Sequence, residues 1–268
     1  MSKLNDCFAA LRHQKRKALI PFITAGDPAP TATQAIMHAL VKAGANIIEL
    51  GMPFSDPMAD GPVIQRASER ALEAGTKLKD VLDIVKNFRI QDEKTPVVLM
   101  GYLNPIEVMG YENFAQQAKA VGVDGVLVVD LPPEEASEFR EILSKQAIDL
   151  IFLLAPNSTP ERIQLIVEKA SGYLYYVSLK GVTGAGHLDV NAVKNKLLEI
   201  QQHTDLPIGV GFGIRDAESA ANIAKISDAV IVGSALVERI EKVEQSKLAE
   251  DLSNFLQGLR KAMDAVKV

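Results

Sequence analysis

The sequence is poor in the residues that form disulfides and metal sites. Its single cysteine, Cys7, cannot form an internal disulfide and has no Cys or His neighbour at metal-ligand spacing. The four histidines are scattered along the chain: His13, His38, His187 and His203. We therefore expect no metal centre, and the cysteine content fits a reducing compartment.

Positive charge and long apolar runs are also scarce. The 29 Lys and Arg residues are outnumbered by 34 Asp and Glu residues, a net charge of −5 that argues against nucleic acid as a partner. No apolar run approaches the roughly 18 to 20 residues of a membrane helix, and the charged N-terminus lacks the apolar core of a signal peptide. With 47% hydrophobic and 24% charged residues, the composition predicts a globular cytoplasmic protein without a membrane partner.

Short apolar segments alternate with helical patterns along the whole chain. Eight segments have the continuous Val, Ile and Leu content of strands buried on both faces: 18–25, 46–50, 96–102, 123–130, 149–155, 174–179, 207–211 and 229–232. Helical patterns follow them at 31–43, 63–74 with 78–88, 113–120, 133–146, 160–170, 190–203, 216–224 and 234–266.

Eight parallel strands joined by crossover helices over about 250 residues predict an α/β fold, a (β/α)8 TIM barrel rather than an open sheet. We find no linker or break in composition, so we expect a single domain over residues 1–268. An amphipathic helix at 2–13 precedes the first strand and should cover the bottom of the barrel.

The second strand contains a glutamate where an apolar residue is expected. Glu49 lies inside the run 46–50, and an unpaired carboxylate is costly to bury there. A structural ion pair is the alternative, but Lys180, at the end of the sixth strand, is the only basic residue placed to form it. Burial should raise the pKa of Glu49 and let it donate and accept protons near neutral pH.

Further candidate residues stand near the ends of strands, on the face where TIM barrels carry their active sites. They are Asp56 and Asp60 in the loop 51–62, Tyr102, Asp130 and Tyr175. Turn formation or helix capping explains Asp56 and Asp130 as well as chemistry does. The aromatic residues Phe22 and Phe212 could enclose a flat apolar ligand, although core packing is their more usual role.

Glycine is concentrated in loops on the same face. The seventh strand contains Gly209 and Gly211 and is followed by Gly213. A helix begins at Gly233-Ser234 after the eighth strand. Barrels often bind phosphate between these two loops, so a phosphate site is predicted, with tight turns as the alternative. The loop 181–186 contains three glycines and is either a lid or a simple connection.

Several motifs together resemble the tryptophan synthase α chain family. The longest is Ile48-Glu49-Leu50-Gly51-x-x-Phe54-Ser55-Asp56-Pro57-Met58-Ala59-Asp60-Gly61-Pro62. Shorter matches are spread over the rest of the chain, at 21–28, 100–105, 130–132, 181–184, 211–214 and 233–235. The resemblance therefore covers the whole chain and does not depend on any one motif.

The resemblance implies a lyase of tryptophan biosynthesis, which cleaves indole-3-glycerol phosphate to indole and glyceraldehyde 3-phosphate by a retro-aldol reaction. Glu49 would be the acid–base residue at indole C3 and at the glycerol hydroxyl. Asp60 would stay ionised, accept a hydrogen bond from the indole N–H and stabilise the cation that forms.

The resemblance also implies a set of substrate-binding residues: Phe22, Tyr175, Thr183, Gly184, Phe212, Gly213, Gly233 and Ser234. Tyr175 would orient Glu49, the two phenylalanines would flank the indole, and the glycines with Ser234 would hold the phosphate. Thr183 would contact Asp60 from the lid. Many relatives have Arg immediately after Ser178, whereas this chain has Leu179-Lys180, a departure from the family pattern that bears on the balance between open and closed lid.

Members of the family work with a β chain that holds pyridoxal phosphate, in an αββα heterotetramer, and the α chain itself uses no cofactor. The residues that would face this partner are Asp56, Pro57, Asn104 and Pro132. Two other functions remain open. One is a non-catalytic subunit that binds a phosphorylated indole and regulates the β chain; the other is a different phosphate-binding barrel enzyme, such as a sugar-phosphate isomerase.

Overall fold

The computed structural model describes residues 2–178, 189–211 and 213–266, and its strands close into a barrel. Each strand is parallel to its neighbours and pairs in chain order, and the last strand closes against the first. The strands are β1 Ala18–Thr24, β2 Ile48–Gly51, β3 Val97–Gly101, β4 Gly125–Val128, β5 Asp149–Leu154, β6 Leu174–Val177, β7 Ile208–Gly211 and β8 Ala229–Val232. The predicted (β/α)8 TIM barrel is confirmed.

The helices lie around the barrel, apart from the first, which covers one end. They are α1 Lys3–His13, α2 Pro30–Lys42, α3 Pro62–Glu73, α4 Leu78–Arg89, α5 Leu103–Met109, α6 Tyr111–Val121, α7 Ser137–Lys145, α8 Pro160–Lys169, α9 Val190–Gln201, α10 Ala217–Ala224, α11 Ser234–Lys242 and α12 Gln245–Asp264. Among the described residues, no helix is both long enough and apolar enough to span a membrane.

In two regions the number of helices differs from the sequence prediction, and α7 begins at Ser137 and not at residue 133. The short helix α5 follows β3 directly and was not predicted. Pro105 is the third residue of α5, in the first turn, where a missing N–H breaks no hydrogen bond within the helix. The predicted helix 234–266 is two helices, α11 and α12, since Val243 has extended backbone angles, φ −93° and ψ 137°.

Helix α1 closes the N-terminal end of the barrel, as predicted. Its side chains Leu4, Phe8 and Leu11 pack against residues that point inward from the strands, among them Ile47, Val98, Leu127, Ile151, Tyr173 and Ile231. Burial of each large apolar side chain stabilises the fold by roughly 1.5–3 kcal/mol. Because α1 fills this end, a ligand can enter from the opposite end, where the C-termini of the strands lie.

Candidate active site

Glu49 lies in the interior of the barrel. Successive side chains of a strand point to opposite faces, and Ile48 and Leu50 belong to the layer between strands and helices, whereas Ile47 packs inside. Glu49 shares the inward face with Ile47, pairs with Phe22 of β1 and Val98 of β3, and has no exposed surface. The predicted burial of this carboxyl group is confirmed.

One tyrosine contacts the buried carboxyl group of Glu49. The hydroxyl of Tyr173 donates a hydrogen bond to Glu49 Oε1, while Oε2 has no hydrogen-bond partner among the described residues. Burial raises the pKa of Glu49 to about 8, and the bond from Tyr173 lowers it in part. No ion pair to Glu49 occurs among the described residues, and Lys180 lies outside them. Glu49 is therefore mainly protonated at neutral pH.

Tyr173 is a residue that the sequence prediction missed. The sixth strand was expected to begin at residue 174, and Tyr175 was assigned the position beside Glu49. Tyr173 and Tyr175 both face inward, and burial together with the charges of Glu49 and Asp60 raises the pKa of Tyr175 well above its usual value. The alternation of side chains along a strand was the signal that could have identified Tyr173.

The position of Tyr175 depends on a glycine in the neighbouring strand. Tyr175 pairs with Gly209, and its hydroxyl group packs over Gly211, where an added Cβ atom would stand 2.0 Å from the tyrosine oxygen. An added Cβ at Gly209 would come within 2.8 Å of Ile231 Cδ1. These two glycines of the predicted phosphate cluster therefore serve packing inside the barrel.

Asp60 is held by the residue that follows β3. The Tyr102 hydroxyl donates a 3.0 Å hydrogen bond to Asp60 Oδ2 and accepts one of the same length from the N–H of Ala59. The ring of Tyr102 stacks on Phe54, with 5.2 Å between centroids. Burial raises the pKa of Asp60 and the bond from Tyr102 lowers it, so the loop is less polar than its sequence suggested.

A cavity of about 1330 Å³ opens at the C-terminal ends of the strands. Its lining includes the apolar side chains of Phe22, Ile64 and Met100 together with Tyr175, and Asp60 lines it as well. Phe22 packs so closely over Gly51 that an added Cβ there would stand 2.6 Å from Phe22 Cζ. The cavity is thus wide enough for an aromatic ligand and places that ligand beside Asp60.

The same cavity is lined by the other predicted phosphate residues. Gly213 has a φ of +79°, a left-handed conformation that favours glycine, and Gly233 precedes the first turn of α11, which begins at Ser234. Gly213, Gly233 and Ser234 all line the cavity. The free N–H groups and positive dipole of a helix N-terminus favour an anion at the start of α11.

The remaining acids near the mouth have structural partners. Asp130 accepts a 2.8 Å hydrogen bond from the N–H of Leu103, the first residue of α5, so it has the capping role that the sequence left open. Asp56 is exposed and accepts a hydrogen bond from its neighbour Ser55. The predicted partner-facing residues Asp56, Pro57, Asn104 and Pro132 lie at least partly exposed on the loops and helices after β2, β3 and β4.

Some predicted residues lie outside the described part of the chain: Leu179, Lys180, Thr183, Gly184 and Phe212. The predicted lid, 181–186, lies outside it as well. Within the described residues, no group of three or more His, Cys, Asp or Glu side chains could hold a metal ion.

Comparison with known proteins gives one consistent result. The family model "Tryptophan synthase alpha chain" matches residues 8–266. The chain is 58% identical to the tryptophan synthase alpha chain of Nitrosococcus oceani, over 100% of this chain and 99% of the relative. It is 60% identical to that of Thioalkalivibrio sulfidiphilus, over 98% and 100%.

Solved structures agree with these sequence comparisons. The crystal structure of tryptophan synthase subunit alpha from Legionella pneumophila superposes with a TM-score of 0.92 at 44% identity, covering 99% of this chain and 100% of the other. A chain of the tryptophan synthase complex from Pyrococcus furiosus gives a TM-score of 0.83 at 40% identity, over 91% and 98%. The chain therefore belongs to the tryptophan synthase α chain family.

Proposed function

We propose that this chain is a carbon–carbon lyase, the α subunit of a tryptophan synthase, which cleaves indole-3-glycerol phosphate to indole and glyceraldehyde 3-phosphate. The observation that carries the proposal is the pair of acids Glu49 and Asp60. One is fully buried with a raised pKa, and the other lies on the wall of the cavity beside an apolar surface. The family match identifies the substrate for which such a pair is needed.

Glu49 performs the proton transfers of this reaction. As an acid it donates a proton to indole C3, which gives an indoleninium cation. The glycerol hydroxyl then loses its proton to the Glu49 carboxylate while the bond between C3 and the glycerol carbon breaks. The electron pair of that bond returns to the indole ring and the hydroxyl-bearing carbon becomes the aldehyde. A pKa of about 8 suits both directions of transfer near neutral pH.

Asp60 stabilises the cation that forms on the indole ring. Its ionised carboxylate accepts a hydrogen bond from the indole N–H, and the donated bond from Tyr102 supports that ionised form. Phe22 forms an apolar wall for the ring. The amides around Gly213, Gly233 and Ser234 hold the phosphate, and Thr183, Gly184 and Phe212 complete the site by resemblance to the family.

The chain assembles with a tryptophan synthase β chain as an αββα heterotetramer, and the pyridoxal phosphate belongs to that partner. The cleavage itself requires only proton transfer and charge stabilisation, which side chains of this chain supply. The docking surface is formed by Asp56, Pro57, Asn104 and Pro132. Two apolar side chains next to them, Met58 and Val108, are each 82% exposed, as expected of a surface that a partner covers. A cytoplasmic location belongs to the same proposal.

The direct test is to supply purified protein with indole-3-glycerol phosphate and measure indole, with and without a β chain. Glu49→Gln should remove most turnover with little change in substrate affinity, because the amide cannot transfer the proton. Asp60→Asn should slow cleavage by more than tenfold, about 1.4 kcal/mol in barrier height. The control is Asp83→Asn, an exposed acid on α4, which should keep full activity.

Two results would contradict the proposal. Near-normal turnover by Glu49→Gln would exclude the assigned proton transfer. Absence of indole from the wild type, even with the β chain present, would instead indicate a non-catalytic subunit that regulates its partner.

A further inference from the structure

Among the residues that the structure describes, four basic side chains line the cavity, and three of them are already neutralised. Arg162 forms an ion pair with Glu134, Arg239 with Asp251 at 3.0 Å, and Lys242 with Glu238 at 2.6 Å. The fourth is Arg215, which has no carboxylate within 4.0 Å among the described residues. Of the cations that the described part of the chain places on this cavity, Arg215 is therefore the one whose charge is available to a ligand.

Arg215 lies in the loop between β7 and α10, two residues after Gly213. It lines the same cavity as the predicted phosphate residues. Its backbone N–H donates a 3.1 Å hydrogen bond to Ser219 Oγ, and Ser219 in turn donates its N–H to the capping residue Asp216 at 2.8 Å. The backbone is thus anchored to the start of α10, whereas the side chain is exposed. The side chain lines the same cavity as Gly213 and Ser234.

The two acids near the guanidinium of Arg215 form no ion pair with it. The carboxylates of Asp216 and Glu238 both interact electrostatically with Arg215. However, Asp216 caps α10 and Glu238 forms an ion pair with Lys242. The glycine loops and the N-terminus of α11, which form the predicted phosphate site, supply little positive charge. A helix N-terminus is equivalent to roughly half an elementary charge, against about −1.5 to −2 for a phosphate monoester.

We propose that Arg215 is a substrate-binding residue that contacts the phosphate of indole-3-glycerol phosphate and supplies the charge that the glycine loops and α11 lack. The inference rests on the proposed function for the identity of the ligand. A guanidinium stays charged at all relevant pH values and matches a phosphate with two parallel N–H groups. Since the phosphate is remote from the bond that breaks, Arg215 acts on binding and not on the chemical step.

The kinetic test is Arg215→Gln, assayed for indole production at low ionic strength. KM should rise about fivefold with kcat unchanged, and the rise should shrink in 1 M salt, where the Debye length falls to about 3 Å. Arg215→Lys should recover part of the loss. Arg162→Gln is the matched control, because it removes the same charge from the same cavity but from an existing ion pair, and it should leave KM within twofold.

A binding test separates this inference from the proposed function. Calorimetric titration with inorganic phosphate should show weaker binding to Arg215→Gln than to wild type, whereas indole should bind both equally. This result would support the role of Arg215 even if the wild type produced no indole. Equal phosphate affinity in wild type and Arg215→Gln, or an equal loss in Arg162→Gln, would overturn the proposal. If Arg215→Gln does not fold, Arg215→Met, which also removes the charge, would overturn it as well if KM and phosphate affinity were unchanged at every salt concentration.

Discussion

Replacement of Glu49 by Gln should make the protein more stable above pH 5, and the gain should grow with pH. The carboxyl group has a pKa of about 8 in the folded protein and an ordinary value of 4.5 in the unfolded chain. Below pH 4.5 both states hold the proton, so the group has no effect. Between pH 4.5 and 8 only the unfolded state ionises, and the free energy of unfolding falls as pH rises.

The size of this effect follows from the two pKa values. A difference of one unit corresponds to 1.36 kcal/mol, so the wild type should lose about 5 kcal/mol of stability between pH 4.5 and 8 from this group alone. The amide of Gln has nearly the same shape, can accept the hydrogen bond from Tyr173 and does not ionise. The difference in unfolding free energy between variant and wild type should therefore rise by about that amount and level off above pH 8.

Urea unfolding of both proteins, followed by circular dichroism at intervals from pH 4.5 to 9, measures this difference. Other titrating groups contribute equally to both proteins and cancel. Infrared spectroscopy gives an independent measurement. The carbonyl band of the protonated Glu49 carboxyl group should be present in the wild type at pH 7 and absent from the variant. A stability difference that stays within about 1 kcal/mol across the range would show that Glu49 ionises normally and would refute the assigned burial effect.

Two further substitutions test the surroundings of the acids. Tyr102→Phe removes the donor to the Asp60 carboxylate, so the pKa of Asp60 should rise and the acid limb of the kcat/KM profile should move to higher pH; an unchanged limb would contradict this support. Gly211→Ala places a methyl group 2.0 Å from the Tyr175 hydroxyl position and should cost about 1–3 kcal/mol in thermal unfolding, with a loss of activity as the tyrosine is displaced. Gly258→Ala in α12 is its control, because an added methyl there meets no atom within 4 Å. An equal effect of the two alanines would exclude the steric explanation.

The repeated pattern of strands and helices was readable from the sequence because each strand is buried on both faces. Continuous apolar runs and eightfold alternation left little choice of fold, and the glutamate inside one run identified the candidate acid. The predicted start of β6 at residue 174 agrees with the structure, but Tyr173, which precedes it, was given no role. Its hydrogen bond to Glu49 joins residues 124 positions apart, and a local pattern does not encode such a contact. Tyr175 also faces the interior and interacts with the charge of Glu49, so both tyrosines surround this carboxyl group.

Local patterns also gave poor information about what each loop residue contacts. Asp130 and Asp60 both follow strands and look alike in sequence, yet one caps α5 and the other receives the Tyr102 hydroxyl. The difference comes from contacts between loops that are about 30 to 40 residues apart in the chain, and no local periodicity encodes them.

The sequence by itself determined the barrel, the position of Glu49 on a buried strand and the concentration of glycine at β7 and β8, because these depend on short-range patterns of apolar residues and backbone freedom. Only the tertiary structure decided that Tyr173 is the hydrogen-bond donor to Glu49 and that Gly209 and Gly211 serve packing. It alone showed Arg215 to be a cation without an ion-pair partner among the described residues. These properties depend on distances between different strands and loops, and the closure of the barrel sets those distances.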